Sequence, residues 1–238
     1  MKFRDRLRAF EERCQAHMSE FKCPVHLCLG QEAVPTVLHE LLKPEDWLFS
    51  THRNHGHYLA KGGSEEKLWD EICGLDSGVN RGWAGSQCFS DPAINFHATA
   101  MIGGLVGVAV GTALALKKQQ RPGVVVCCIG DGATEQGVFW EALNAVELWH
   151  LPVMFVCENN GYSVHAPINE RQARKIWKRV EQFGLITYPS ITEIHCKKFI
   201  TAAYGWAKSN QPSFIEVICD RECNHVGNMP DFRVGDKA

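Results

Sequence analysis

The stretch Val124–Tyr162, VVVCCIGDGATEQGVFWEALNAVELWHLPVMFVCENNGY, decides the fold. Its opening apolar run, Val124–Ile129, stops at Gly130-Asp131-Gly132, the pattern of a buried parallel strand that ends in a turn free of side-chain obstruction. From about Glu135 to Trp149 the apolar residues Val138, Phe139, Ala142, Leu143, Ala145, Val146 and Trp149 recur at helical spacing, and Pro152 opens a second apolar run, Val153–Cys157. Strand, crossover helix and strand follow in order, so the expected fold class is α/β with a central, mostly parallel sheet flanked by helices.

Parallel strands joined by such a crossover end on the same edge of the sheet, which brings Asp131 and Asn160 to one crevice. A carboxylate, an amide oxygen and a turn carbonyl suit a hard cation such as Mg²⁺, which takes few protein oxygens and completes its shell with phosphate and water. The glycines beside Asp131 let backbone amides approach that phosphate. Taken singly, Gly-Asp-Gly and Asn-Asn-Gly are ordinary turns; the specificity lies in their combination.

GDG, EALN within the helix, LPV and CENNGY together resemble the thiamine diphosphate motif of the α subunits of two-subunit 2-oxo acid and acetoin dehydrogenases. The resemblance covers nearly the whole chain and implies the thiamine diphosphate-binding fold. It implies that Asp131, Asn160 and the carbonyl of Tyr162 hold Mg²⁺, and that Gly130, Gly132 and Ala133 touch the cofactor.

Length and composition agree with this class. With 238 residues, 45% hydrophobic and 22% charged, the chain suits one large α/β domain, expected over 1–238. A formal net charge of −2 gives no electrostatic reason to expect nucleic acid or an anionic membrane as partner. The eleven cysteines are scattered, several within apolar runs, without a CxxC, which speaks for a reducing cytoplasm rather than a disulfide framework or a zinc ribbon. Arginines near the start interleave with acids while Phe3, Leu7, Phe10, Cys14 and Met18 trace a helical stripe, so the N-terminus reads as a packed helix and not a presequence.

Before the motif, Cys23–Leu42 has a loop leading into a helix broken or started near Pro35. HLxxGQEAV here is similar to the family, and the match puts His26 at the substrate end of the thiazolium. Asp46–Gly63 holds His52, His55 and His57; HxxHxH is also a metal-cluster pattern, but no carboxylate or fourth ligand stands nearby in sequence. THRxHGHxLAKG resembles the acetoin version of the family, the pyruvate version usually having Tyr where His52 stands. The match implies that His52 and Arg53 contact the cofactor, Arg53 as a planar donor fork on the diphosphate, and that His55 stands near the reacting carbon. Where the family carries GGSMH, this chain has Ala84-Gly85-Ser86-Gln87-Cys88, without the histidine.

Ala98–Leu116 is almost wholly apolar, with Gly103, Gly107 and Gly111 four apart. Its continuous part, Met101–Leu116, spans 16 residues, short of the ~20 that cross a bilayer, so the expectation is a buried helix against another subunit and no membrane span. Ala100 and Ile102, at its start, match cofactor neighbours in the family. Pro167–Phe183 reads as a solvated basic helix, Ile194–Ser209 as a helix and Ser213–Cys219 as a closing strand. DRECNHVG is similar to the family's YRxxGHS loop and sets Arg221 and His225 over the diphosphate; CxxxCxH at Cys219, Cys223 and His225 is a zinc-like spacing that lacks a fourth ligand. The family continues past the equivalent of this chain's end and begins with a longer arm, so the chain is expected to be a trimmed member.

The expected function is therefore that of the α subunit of a heteromeric thiamine diphosphate- and Mg²⁺-dependent oxidoreductase that cleaves a 2-oxo acid or acetoin and passes the acyl unit on. His26, His55 and His225 are the candidate catalytic residues, since imidazole titrates near working pH. The resemblance implies that the glutamate activating the cofactor comes from a β subunit, in an α2β2 assembly with an acyl-carrier or lipoyl protein as acceptor. A relative recruited for two-carbon transfer to a sugar or carrier protein, and a cofactor-free scaffold, are the alternatives.

Overall fold

A computed structural model of the chain describes residues 1–227 and 229; the end of the expected 1–238 domain lies outside the described residues. In chain order the helices are α1 (Phe3–Ala16), α2 (Ala33–Leu41), α3 (His55–Ala60), α4 (Glu65–Ile72), α5 (Val106–Lys118), α6 (Gly137–Leu148), α7 (Ile168–Arg171), α8 (Ile176–Val180) and α9 (Glu193–Lys208). The strands are β1 (Trp47–Ser50), β2 (Ser90–Asp91), β3 (Phe96–Ala98), β4 (Val125–Gly130), β5 (Val153–Asn159), β6 (Tyr162–Ser163), β7 (Ala166–Pro167), β8 (Ile186–Thr192) and β9 (Ser213–Ile218).

Seven strands form one sheet in the order β2-β3-β1-β4-β5-β9-β8, with β6 and β7 a small separate pair. Every pairing in the large sheet is parallel except that of β2 with β3. The central register Val125↔Val153 through Gly130↔Glu158 aligns the ends of β4 and β5, so that Asp131 and Asn160 leave the sheet side by side. This is the strand–helix–strand unit expected from Val124–Tyr162.

Both faces of the sheet are covered, and the two-residue period of the strands sorts the side chains. Val126, Cys128, Met154, Val156, Ile215 and Val217 face one way and join Leu7, Phe10, Leu38, Tyr58, Leu68 and Ile200 from α1, α2, α3, α4 and α9. Val125, Cys127, Ile129, Val153, Phe155 and Phe214 face the other way and join Ala109, Ala113, Phe139, Leu143, Ile176 and Val180 from α5, α6 and α8. Apolar residues at consecutive positions, such as Val125 to Ile129, thus each fill a core.

Two expectations change in detail. The helix read from Ala98 begins only at Val106: Gly103 adopts φ +77°, a left-handed conformation that breaks a helix, and 99–105 form a loop. Gly107 and Gly111 do lie on α5, on its exposed side. The basic segment after Tyr162 forms two short helices, α7 and α8, with Ile176 and Val180 buried, rather than one solvated helix. Among the described residues no helix is long and apolar enough to cross a membrane.

Candidate functional site

A cavity of about 240 Å³ opens at the carboxyl ends of β1, β4 and β5. Its wall includes His26, His52, Arg53, Ala100, Ile102, Gly130, Asp131, Gly132, Ala133, Asn160, Tyr162, Arg221 and His225. Every sequence-predicted site residue except His55 is on that wall.

Asp131 is the first residue after β4 and is 1% exposed. Burial raises its pKa, against the pull of Arg171, whose guanidinium lies 2.5 Å from its carboxylate. Arg171 also pairs with Glu135 and donates to the Ala166 carbonyl at 3.0 Å. Gln172 binds the same turn, donating to the Asp131 carbonyl at 3.1 Å and to Thr134 Oγ1 at 2.8 Å. A Cβ at Gly132 would stand 2.9 Å from Ser163 Oγ and 3.2 Å from Ser163 Cβ, so a larger residue there would press on β6.

The two asparagines of CENNGY divide their work. Asn159 turns into the sheet, donating to Glu216 at 2.6 Å and accepting from the Gly161 amide at 2.9 Å. Asn160 turns to the cavity, with Nδ2 on Gln31 Oε1 at 2.9 Å and Oδ1 accepting from the Tyr162 amide at 3.1 Å. Gly161 at φ +79° makes the turn between them and Tyr162.

Opposite stand two buried arginines and three histidines. Arg53 donates to the Leu27 carbonyl, and Arg221 to the Val164 carbonyl at 3.2 Å. The rings of His26, His52 and His225 meet edge to face, with centroids 4.5 Å (His26 to His52), 4.8 Å (His26 to His225) and 5.6 Å (His52 to His225) apart. Burial, then the neighbouring His52, Arg53 and His225, lowers the His26 pKa to about 2; burial and the arginines lower that of His52 to about 3. Both are neutral at physiological pH.

The three histidines of THRNHGH separate. His52 joins the cavity cluster. His55 is fully buried behind the wall, its Nδ1 2.7 Å from Glu11 and its Nε2 2.8 Å from Ser86 Oγ, so it does not line the cavity, although the resemblance implies a place near the reacting carbon. As the first residue of α3 it points into the core, a direction that spacing alone does not reveal. His57 lies 2.8 Å from Ser50 Oγ and 3.3 Å from Glu158. Burial lowers the His57 pKa to about 4 and raises that of Glu158 to about 8. Among the described residues the histidines that come within metal-ligand reach of one another are His26, His52 and His225, not HxxHxH or the CxxxCxH set.

The loop standing in place of GGSMH is anchored from behind. Buried Glu71 accepts four backbone amides, from Asn80, Gly82, Ala84 and Gly85. Asn54 donates to the carbonyls of Ser86 and Gln87 at 2.9 and 3.3 Å. Gln87 reaches the cavity, where its Nε2 lies 2.7 Å from His26 Nδ1, and Cys88 accepts from the Ala100 amide at 3.2 Å.

Arg171, Gln31 and Glu158 also join the site, beyond the residues the motifs single out. Gln31 stands in the GQEA match beside His26, a signal that was present; Arg171 lies in a basic run with no mark of a destination 40 positions back.

The profile of the family described as "Dehydrogenase E1 component" matches residues 3–231. The α subunit of acetoin:2,6-dichlorophenolindophenol oxidoreductase from Bacillus subtilis (strain 168) is 39% identical, over 97% of this chain and 72% of its own length. The pyruvate dehydrogenase E1 component α subunit of Porphyra purpurea is 36% identical over 87% of this chain and 64% of its own, and that of Zymomonas mobilis 33% identical over 94% and 66%. The chain thus spans roughly two thirds of the length of these relatives.

Proposed function

The chain belongs to the dehydrogenase E1 component family, and on that premise we propose that it is the α subunit of a heteromeric, thiamine diphosphate-dependent oxidoreductase that cleaves acetoin or a 2-oxo acid and passes the acyl unit to an acceptor. The observation that carries this reading is the convergence of Asp131, Asn160, Arg53 and Arg221 on one cavity at the strand ends.

The residues present fit the cofactor. A buried carboxylate and an amide oxygen are hard donors suited to Mg²⁺, and nothing lies within 4 Å of a Cβ built on Gly130, so that backbone is open to a close ligand. Asp131, Asn160 Oδ1 and the Tyr162 carbonyl would hold the ion; Arg53, Arg221 and the Gly130–Ala133 turn would hold the diphosphate. When bound, thiamine diphosphate supplies a thiazolium carbon that adds to a carbonyl and takes up the charge left by the departing group. His26 and His225 are the groups placed to exchange hydrogen bonds or protons with a substrate at the other end, with His52 beside them. His55, bonded to Glu11 and Ser86, is a positioning residue for the 84–88 loop.

A partner would complete the site. Met101 and Val108, 71% and 51% exposed, and the exposed Gly107 and Gly111 belong to the apolar stretch 101–111, whose Met101 and Ile102 line the cavity; its exposed side forms an apolar strip. We assign this strip to a β subunit, as the α-subunit names of the relatives suggest; an α2β2 assembly and a lipoyl or acyl-carrier acceptor extend the same reading.

The test is co-expression with a β-like chain, followed by assay of acetoin- and pyruvate-dependent reduction of 2,6-dichlorophenolindophenol with thiamine diphosphate and Mg²⁺. Turnover by the pair and by neither chain alone is expected. No turnover of either substrate by the pair, or full activity of this chain by itself, would overturn the reading.

A further inference from the structure

One ring nitrogen from each of His26, His52 and His225 lies within 4.8 Å of the others. Such a cluster has two contrasting uses: three neutral imidazoles can ligate a transition metal, or they can present N–H donors to an oxygen. The groups behind the rings decide between them. An imidazole that ligates through Nε2 carries its hydrogen on Nδ1 and gives it to an acceptor behind. Here Nδ1 of His26 faces Nε2 of Gln87 at 2.7 Å, and Nδ1 of His225 faces a guanidinium nitrogen of Arg221 at 3.2 Å. A guanidinium has only hydrogens to offer, and the NH₂ of a side-chain amide likewise donates. Nδ1 of His225 is therefore an acceptor, and so is Nδ1 of His26 with the Gln87 amide turned NH₂ toward it; a neutral ring then carries its proton on Nε2.

We propose that Gln87 is a positioning residue that locks His26 as the Nε2–H tautomer, matching the state Arg221 imposes on His225, so that this end of the cavity is a two-donor site for the carbonyl oxygen of a ketone substrate and not a transition-metal site. The proposal rests on the functional reading above for the identity of its ligand, but not for the tautomers. A carbonyl oxygen that gains negative charge during reaction gains most from donors fixed beforehand in a site shielded from water. Gln87 stands where the GGSMH pattern has methionine, which cannot donate to a ring nitrogen. Its loop is held in place independently of His26, through Ser86 on His55 and the two carbonyls on Asn54, so the amide is delivered to the ring by the fold.

The experiment reads ring-nitrogen chemical shifts in ¹⁵N-histidine-labelled full chain, in solution or by magic-angle spinning on the complex, with His26 assigned from a His26→Asn variant. The shifts separate a protonated ring nitrogen from a bare one without any turnover. The wild type is expected to carry His26 Nε2–H; Gln87→Glu, an acceptor in the same place, is expected to move the proton to Nδ1, and Gln87→Met to leave a mixture, with His225 unchanged in both. In the active pair, Gln87→Glu should lower kcat by about 100-fold, the usual effect of removing one such donor, with thiamine diphosphate affinity unaltered. A wild-type His26 protonated on Nδ1, or a His26 spectrum indifferent to Gln87→Glu, would overturn the proposal. Expected tautomers in a pair that turns over neither acetoin nor pyruvate would leave the tautomer assignment standing and overturn the functional reading instead.

Discussion

The Arg171 guanidinium lies 2.5 Å from the Asp131 carboxylate, so the group proposed to hold Mg²⁺ is already paired with a cation of the chain itself. The pair gives a carboxylate that is 1% exposed an opposite charge within the fold. It also means that cation binding must compete with, or displace, that guanidinium.

Arg171→Gln should therefore lower the thermal stability of the cofactor-free protein, by about 1–3 kcal/mol for a buried charge left short of a partner. Mg²⁺ with thiamine diphosphate should then raise its Tm by more than it raises that of the wild type, because the ion replaces the missing charge. Equal ligand-induced shifts in differential scanning calorimetry would count against competition at Asp131.

The histidines behind and on the cavity wall should behave oppositely. His55→Ala leaves Glu11 in the core without its ring partner and should cost about 3 kcal/mol of stability. His225→Ala should change stability by less than about 1 kcal/mol but cut turnover by about 100-fold or more. Urea unfolding beside steady-state kinetics on both variants separates the roles; a stable, inactive His55→Ala would restore that residue to the reacting centre.

Acid should destabilise the fold through His26 and His52. In the unfolded chain these rings protonate near 6.5, while in the fold they stay neutral down to about 2 and 3. Between pH 6.5 and about 3 the unfolded state thus binds more protons, and stability, complete above 6.5, falls as pH drops through that window. His26→Gln should flatten the fall by up to about 1.4 kcal/mol per pH unit between pH 6 and 4. An unchanged slope in urea midpoints would show that His26 is charged in the fold.

Much of this arrangement is legible in the residues. The runs ending at Asp131 and Asn159-Asn160 dictate adjacent parallel strands, and the strand ends then share an edge whatever the rest of the chain does. Other features depend on contacts that spacing does not encode. Ile186–Thr192 forms an edge strand although Pro189 interrupts it, because a ladder shift between Tyr188 and Ile191 absorbs the proline and only one side needs a partner. The apolar stretch from Ala98 reads as helix throughout, yet Gly103 turns left-handed and the helix waits until Val106. His52 and His55, three residues apart, face opposite sides of the wall, and Arg171 reaches Asp131 from the end of α7.

The strip on α5 gives a test of partnership that spares the fold. A Cβ at Gly111 meets nothing within 4 Å, so Gly111→Glu should leave the Tm of this chain unchanged or slightly raised, glycine being the poorer helix former. The same change should abolish co-purification with the β-like chain, since it places a charge in an apolar interface. Unimpaired co-purification would move the interface elsewhere.

The central claim, that Asp131 and Asn160 hold Mg²⁺ against a diphosphate, is tested most directly by calorimetric titration of thiamine diphosphate into the co-expressed pair, with and without Mg²⁺, for the wild type and Asp131→Ala. Arg171 keeps Glu135 as partner in that variant, so the fold should persist. The account predicts binding that requires Mg²⁺ in the wild type and falls by about 100-fold or more in Asp131→Ala. Equal affinity in the two proteins, or binding indifferent to Mg²⁺, would contradict it.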